Sequence, residues 1–207
     1  MALTGVSCTS ARRCTAVGYS GNGPLAERWN GRRWAIQPIA SPAAGFLSAV
    51  SCTWARFCMA VGGDGAGGAL AERWNGRRWA VRATAPGSDE LLSAVSCTSA
   101  MACTAVGFHT IERWNGAEWA IQRSPGIRGS LAGVSCATAH ACTAVGEGIK
   151  GAVAEHWNGS KWVIQRTPRP ARRTLAGVSC TSARVCTAVG FRHRVFTAGR
   201  TLAERHS

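Results

Sequence analysis

Ten cysteines run along this 207-residue chain as five copies of one spacing, C-x5-C: Cys8/Cys14, Cys52/Cys58, Cys97/Cys103, Cys136/Cys142 and Cys180/Cys186. Thiols at a fixed spacing can do three kinds of chemistry. Zinc takes four ligands, typically from C-x2–4-C pairs, and no further Cys or His recurs beside these pairs. A dithiol redox centre would read C-x-x-C. Two cysteines facing each other across an antiparallel strand pair are close enough to bond. The spacing therefore predicts five disulfides, with buried free thiols as the alternative, and neither a metal nor a cofactor. Paired cysteines point to an extracytoplasmic or secreted protein, whereas Met1-Ala2-Leu3 runs into the first copy with no leader-like segment.

Other chemistry-bearing side chains recur with the same period. Eight of the nine tryptophans form pairs around an Asn-Gly: Trp29/Trp34, Trp74/Trp79, Trp114/Trp119 and Trp157/Trp162. A paired ring can clamp a hairpin by packing, or offer a face to sugars or bases. Trp54 stands outside the pattern, where the other copies carry Ser or Thr, so repeating structure does not explain it. Glu27, Glu72, Glu112, Glu155 and Glu204 share one position. Catalytic carboxylates come as unlike, tuned pairs, so five equivalent glutamates read as structural acceptors. The five histidines keep no constant position, and 62–68 (GGDGAGG) reads as a flexible loop and not a phosphate cradle. Candidate ligand contacts are therefore Trp54, the first Trp of each pair (Trp29, Trp74, Trp114, Trp157) and His109, where one variable loop shrinks to Phe108-His109.

Formal net charge is +14, carried almost wholly by arginine, since Lys150 and Lys161 are the two lysines. Such a balance suits anionic partners. The arginines are scattered over turns and linkers and form no single run, which reads as compositional bias more than as a dedicated site. Hydrophobic residues make up 46% and charged ones 16%, a globular composition. No apolar run reaches the roughly 20 residues of a membrane span.

The elements that must position these groups follow from the repeat. Residues 3–18 (LTGVSCTSARRCTAVG) return at 47–62, 92–107, 131–146 and 175–190, and an AERWNG-x-x-W-type segment follows the first four. The first cysteines are 44, 45, 39 and 44 residues apart, by subtraction of positions 8, 52, 97, 136 and 180. Each unit holds four short strand signals, L-x-x-V-S-C, C-T-A-V-G, L-A-E-R-W and W-A-I-Q, with Asn-Gly as the hairpin signal between the last two. Four strands every ~40–45 residues is the period of propeller blades. The prediction is an all-β fold: one five-bladed β-propeller of four-stranded antiparallel blades, with units 3–46, 47–91, 92–130, 131–174 and 175–207. The short C-x5-C loop must join neighbouring strands and the Pro/Gly linkers must cross between blades, so L-x-x-V-S-C lines the axis. The last unit stops at LAERHS, so its blade is incomplete.

The pattern VSC-TSA-x-x-CTAVG followed by AERWNG-x-x-W resembles a repeat of actinobacterial extracytoplasmic proteins over essentially the whole chain. The architecture is also similar to tachylectin-like and kelch-like propellers, a likeness that transfers no site. The resulting expectation is a non-enzymatic recognition module binding carbohydrate at several sites between blades. The alternatives are a basic scaffold for polyanions or protein partners, and a structural propeller with no small ligand. The partners expected are glycans or other anionic surface polymers, and the assembly is a monomer or a strand-completed oligomer.

Overall fold

The computed structural model describes residues 1–40, 44–88, 90–125, 129–167, 173–192 and the backbone of 200–206. It is all-β, with no helix among the described residues. Blade 1 contains β1 (Ala2–Ser10), β2 (Arg13–Ser20), β3 (Gly23–Trp29) and β4 (Trp34–Gln37). Blade 2 contains β5 (Phe46–Trp54), β6 (Phe57–Gly63), β7 (Ala69–Trp74) and β8 (Trp79–Arg82), and blade 3 contains β9 (Leu92–Ser99), β10 (Ala102–Gly107), β11 (Ile111–Trp114) and β12 (Trp119–Ile121). Blade 4 contains β13 (Ser130–Thr138), β14 (Ala141–Gly148), β15 (Gly151–Trp157) and β16 (Trp162–Gln165). Blade 5 is a three-stranded sheet of β17 (Arg173–Ser182), β18 (Val185–Arg192) and β19 (Arg200–His206). Every sheet is an antiparallel meander in chain order.

The first strand of each blade is innermost, as its small residues predict. β1, β5, β9, β13 and β17 abut one another in sequence, and the fourth strands make no comparable contact between blades. At the third position of L-x-[G/A]-V the inner strands meet backbone to backbone: a Cβ on Gly5 would stand 3.0 Å from the Ala49 Cα, and one on Gly133 3.1 Å from the Gly177 Cα. The closing glycine of C-T-A-V-G has another cause. A Cβ on Gly18, Gly62, Gly107, Gly146 or Gly190 would stand 1.9–2.0 Å from a carbonyl oxygen of the adjacent inner strand, beside the register shift that follows Leu3 and its counterparts.

Each blade has a front face toward the preceding blade and a back face toward the following one, set by strand alternation. Between blades 1 and 2, Val17 and Ala26 pack on Leu47, Val50, Cys58, Ala60, Trp74 and Trp79. The same residues recur between blades 2 and 3 and between blades 3 and 4, with a smaller set between blades 4 and 5. Each fully buried Leu or Val contributes about 1.5–3 kcal/mol, so stacking of blades supplies the core that one thin sheet lacks. Polar contacts repeat too. The N–H groups of Cys52, Cys97, Cys136 and Cys180 donate to Ser7, Ser51, Ser96 and Ser135 Oγ of the preceding blade, at 2.9–3.0 Å. The series is an open arc: β17 and β1 make no contact comparable to those between successive inner strands.

Candidate functional site

Chain direction sorts the loops onto two sides of the arc. The C-x5-C and Asn-Gly hairpins lie on one side, while the β2–β3-type loops and the blade linkers lie on the other.

The hairpin side is built on the cysteines and the Asn-Gly turns. All five predicted disulfides are formed: Cys8–Cys14, Cys52–Cys58, Cys97–Cys103, Cys136–Cys142 and Cys180–Cys186, with Cα atoms 3.9–4.0 Å apart. The alternative of buried free thiols is thereby corrected, since no cysteine is free. Cys52, Cys97, Cys136 and Cys180 sit half-buried on the inner strands and Cys8 is exposed, whereas Cys58, Cys103, Cys142 and Cys186 are buried against the preceding blade. The Thr15, Thr104 and Thr143 hydroxyls of that preceding blade lie 3.7, 3.6 and 3.3 Å from Cys58, Cys142 and Cys186 Sγ, and a bridged sulfur can only accept. Met59 replaces the threonine opposite Cys103 and packs in the same cluster with it. Cys14 is half-buried, because the front of blade 1 is uncovered. Spacing reveals which cysteines pair, but not which sulfur the next sheet will cover.

The two residues of each Asn-Gly turn play different parts. Only the glycine takes a positive φ, 95–102° at Gly31, Gly76, Gly116 and Gly159. The asparagine works through its side chain instead: Asn30 Oδ1 accepts from the Arg32 and Arg33 N–H groups at 2.9 and 3.0 Å, and Asn75, Asn115 and Asn158 do the same. Against each glycine lies a side chain of the neighbouring C-x5-C loop. Arg12 packs on Gly31, Arg56 on Gly76, Met101 on Gly116 and His140 on Gly159.

The arginines stay scattered over turns and linkers along the sequence, and one set of them gathers on this side. Arg12, Arg13, Arg32 and Arg33 of blade 1, Arg56, Arg77 and Arg78 of blade 2, Lys161 of blade 4 and Arg184 of blade 5 all sit in these hairpins, and all are exposed. Among the described residues, Glu118 is the one acidic side chain the hairpins carry. Trp54, 52% exposed, and Met101, 62% exposed, stand on the same side. A notch of about 130 Å³ opens between Arg56, Asn75, Gly76 and Arg77. Sequence reasoning missed this surface because its members are spread from position 12 to position 184; the fixed topology of the repeat was the signal that could have found it.

The Trp pairs serve packing. Their centroids are 5.7–5.8 Å apart and tilted by 43–53°. Trp74, Trp114 and Trp157 are buried in the blade interfaces, which corrects the expectation that they contact a ligand: their faces are already covered. The Arg28 and Arg113 guanidinium groups lie 4.5 Å from the Trp74 and Trp157 centroids and donate to the Ala55 and Ala139 carbonyls of the following blade, at 3.1 and 2.7 Å. Burial lowers the pKa of both arginines, and Arg13 adds to the effect at Arg28. Trp29 is half-buried and its partner Trp34 is exposed, because no blade covers the front of blade 1.

The recurring glutamate is a socket for the linker. Glu112 accepts from the Ala85 N–H at 3.0 Å and from the Ser88 hydroxyl, and Glu155 accepts from the Ser124 hydroxyl at 2.6 Å. Burial pushes Glu72 up to about 7, offset in part by the Ala40 backbone. Burial likewise raises Glu112, against the lowering pull of Ser88 and Ala85.

On the linker side, clefts recur at the β2–β3-type loops. One of about 520 Å³ is lined by Tyr19, Gly23 and Phe46, one of about 350 Å³ by Glu90, Leu91 and Phe108, and one of about 530 Å³ by Ile149, Lys150 and Ile164. His109 is here, at φ 52°, with Nδ1 3.6 Å from Glu90 Oε1 and its ring on Phe108. Trp54 and His109 thus lie on opposite sides, and the structure does not bring them together. Nor is 62–68 a phosphate cradle: Asp64 Oδ1 takes the Ala66 and Gly68 N–H groups at 2.8 and 2.9 Å, which makes it an anchored turn and not the flexible loop expected. The long loop of the last unit, at 193–199, lies outside the described residues.

No family model matches the sequence, and no curated protein does. Among solved structures, the chain is similar to virginiamycin B lyase from Staphylococcus aureus (TM-score 0.72, 10% identity, 97% of this chain and 69% of that one). It is similar also to the WD40 beta propeller domain of Doa1 (TM-score 0.68, 10% identity, 91% and 62%) and to YCF48 bound to D1 peptide (TM-score 0.66, 13% identity, 91% and 60%). At such identities the likeness defines the fold alone, a β-propeller. The chain spans about 60% of the length of the YCF48 and Doa1 structures.

Proposed function

We propose that the chain is a non-enzymatic recognition scaffold that holds an acidic glycan, or a comparable anionic surface polymer, across its hairpin side. The observation that carries this reading is the basic charge of that side, opposed among the described hairpin residues by Glu118 alone and set on disulfide-closed, glycine-packed hairpins that need little ordering on binding. Trp54 adds an aromatic face for a sugar ring. Five disulfides are consistent with an oxidising compartment, and membership of the actinobacterial extracytoplasmic repeat family belongs to the same proposal. The non-enzymatic part is supported by Glu112 and Glu155, which serve as linker acceptors.

Chromatography on immobilised heparin tests the proposal, with double-stranded DNA, an acidic peptide and neutral glycans as comparators. Retention of the chain at low salt, with log K falling linearly against log salt, is expected; a slope near −3 to −5 would correspond to about four to six neutralised charges. Passage through heparin at low salt overturns the reading, and stronger binding of DNA or of the peptide moves the partner to that class. The similarity to YCF48, whose structure carries a peptide, is why a peptide is included.

The linker-side clefts favour a second reading, in which small neutral glycans occupy equivalent sites and gain by multivalency. Calorimetry after a glycan array tests it, and a neutral glycan bound at more than one site per chain is the expected result.

A further inference from the structure

The two ends of the arc expose opposite halves of one interface. In blades 2 to 5 the first-strand leucine of the front face is buried: Leu47, Leu92, Leu131 and Leu175 are at most 1% exposed. In blade 1 its counterpart Leu3 is 53% exposed, Val6 is 63% and Trp34 is 42%. The back face shows the converse. Val17, Val61, Val106 and Val145 are fully buried, while Val189 of blade 5 is 50% exposed. Thr187 is exposed where Thr15, Thr104 and Thr143 are buried against the following blade.

Polar groups mark the same two faces. The Ser–Cys ladder has rungs at all four blade junctions, and its ends are Cys8 at the front and Ser179 at the back. The threonine-to-sulfur contacts end in the same way, with Cys14 at the front and Thr187 at the back. Glu27 sits in a depression of about 430 Å³ with Leu3, Val6 and Trp34, whereas Glu112 and Glu155 are buried under the linker of a preceding blade. Solvated Leu, Val and Trp side chains in one patch are what an unfilled interface leaves behind.

The geometry points to a head-to-tail interface between two copies of this chain, in which the back of blade 5 of one copy docks on the front of blade 1 of the other. The occupant is argued from the molecule itself: the surface that fits a front face is a back face, as four junctions within this chain demonstrate. The contact continues the stacking of blades and adds a Cys8–Ser179 rung across copies. It is heterologous, so each copy offers one front and one back. The inference does not depend on the polyanion reading, and the two respond oppositely to salt. Polyanion binding weakens as salt rises. Docking of apolar faces on chains of charge +14 strengthens, because their mutual repulsion is screened.

Sedimentation of the oxidised chain, with Val6→Glu and Val189→Glu variants, tests the interface. Both substitutions fall at exposed positions, and circular dichroism checks that each variant keeps the fold. Wild type is expected above the monomer mass, increasingly so from about 0.1 to 0.5 M NaCl as screening lengths shrink. Each variant alone should be monomeric. Their equimolar mixture should give a species of twice the monomer mass, because V6E keeps an intact back and V189E an intact front. A wild-type monomer at all concentrations overturns the proposal, with Trp34 shielded if the chain closes on itself and solvent-quenched if it does not. Failure of the mixture to pair overturns the head-to-tail geometry.

Discussion

At the scale of single residues, recurrence has two meanings that burial separates. Glu72 illustrates the structural one. Its carboxyl is fully buried and its folded pKa is about 7, against an ordinary 4.5, chiefly through desolvation. The folded state therefore binds a proton that the unfolded state releases. The contribution to stability is greatest below pH 4.5, falls as pH rises toward 7 and is flat above. Glu72→Gln keeps an acceptor and removes the charge. Melting curves should nearly coincide for variant and wild type near pH 5, with the variant melting higher near pH 8; a wild type that is relatively more stable at the higher pH would contradict the burial of this group. Trp54 illustrates the other meaning. It breaks the repeat and is exposed, so Trp54→Ala should leave the melting temperature within about a degree or two while weakening heparin retention. The cysteine pairing and the acceptor role of the glutamates were legible in the sequence because spacing alone constrains them. The burial of Trp74, Trp114 and Trp157 was not, nor was that of Cys103, Cys142 and Cys186, because a periodic side chain reads the same whether it meets solvent or the next blade.

The blade is the next scale, and its local rules were legible almost throughout. Strand order, the inner position of L-x-x-V-S-C and the hairpin positions follow from loop lengths that cannot span more than neighbouring strands. The asparagine of Asn-Gly acts through its side chain for a physical reason: a four-residue connection between paired tryptophans leaves room for a side-chain-capped turn, so only glycine needs a positive φ. Two energetic consequences belong here. Each C-x5-C bridge closes a short loop, so a Cys97→Ala/Cys103→Ala double variant should lose about 2–3 kcal/mol in a denaturant titration. Gly146→Ala drives a methyl into the Ser130 carbonyl and should cost at least as much, whereas Gly21→Ala, with open space around its Cβ position, should be nearly neutral. Equal effects of the two glycine substitutions would refute the close approach of β13 and β14.

At the scale of the whole molecule two properties escaped the sequence, and both arise from how blades add. The angle between neighbours decides whether five blades close or leave faces such as Leu3/Val6 and Val189 open, and identical repeat patterns accompany either outcome. Charge is similar. Arg12, Arg33, Arg56, Arg78 and Arg184 are remote in sequence and form no run, yet every hairpin of this topology projects to one side, so local arginines become a shared field. The most direct test of that claim compares two charge-matched variants in heparin affinity against salt. One neutralises Arg12, Arg33, Arg56 and Arg78 on the hairpin side, and the other neutralises Arg82, Arg123, Arg166 and Arg192, which lie outside these hairpins. The account predicts that the first loses most of the affinity and flattens the salt slope by about three units, at roughly 0.7–0.9 per charge, while the second stays close to wild type. Equal losses in the two variants would contradict it, and would mean that net charge alone, with no recognition surface, draws this propeller to polyanions.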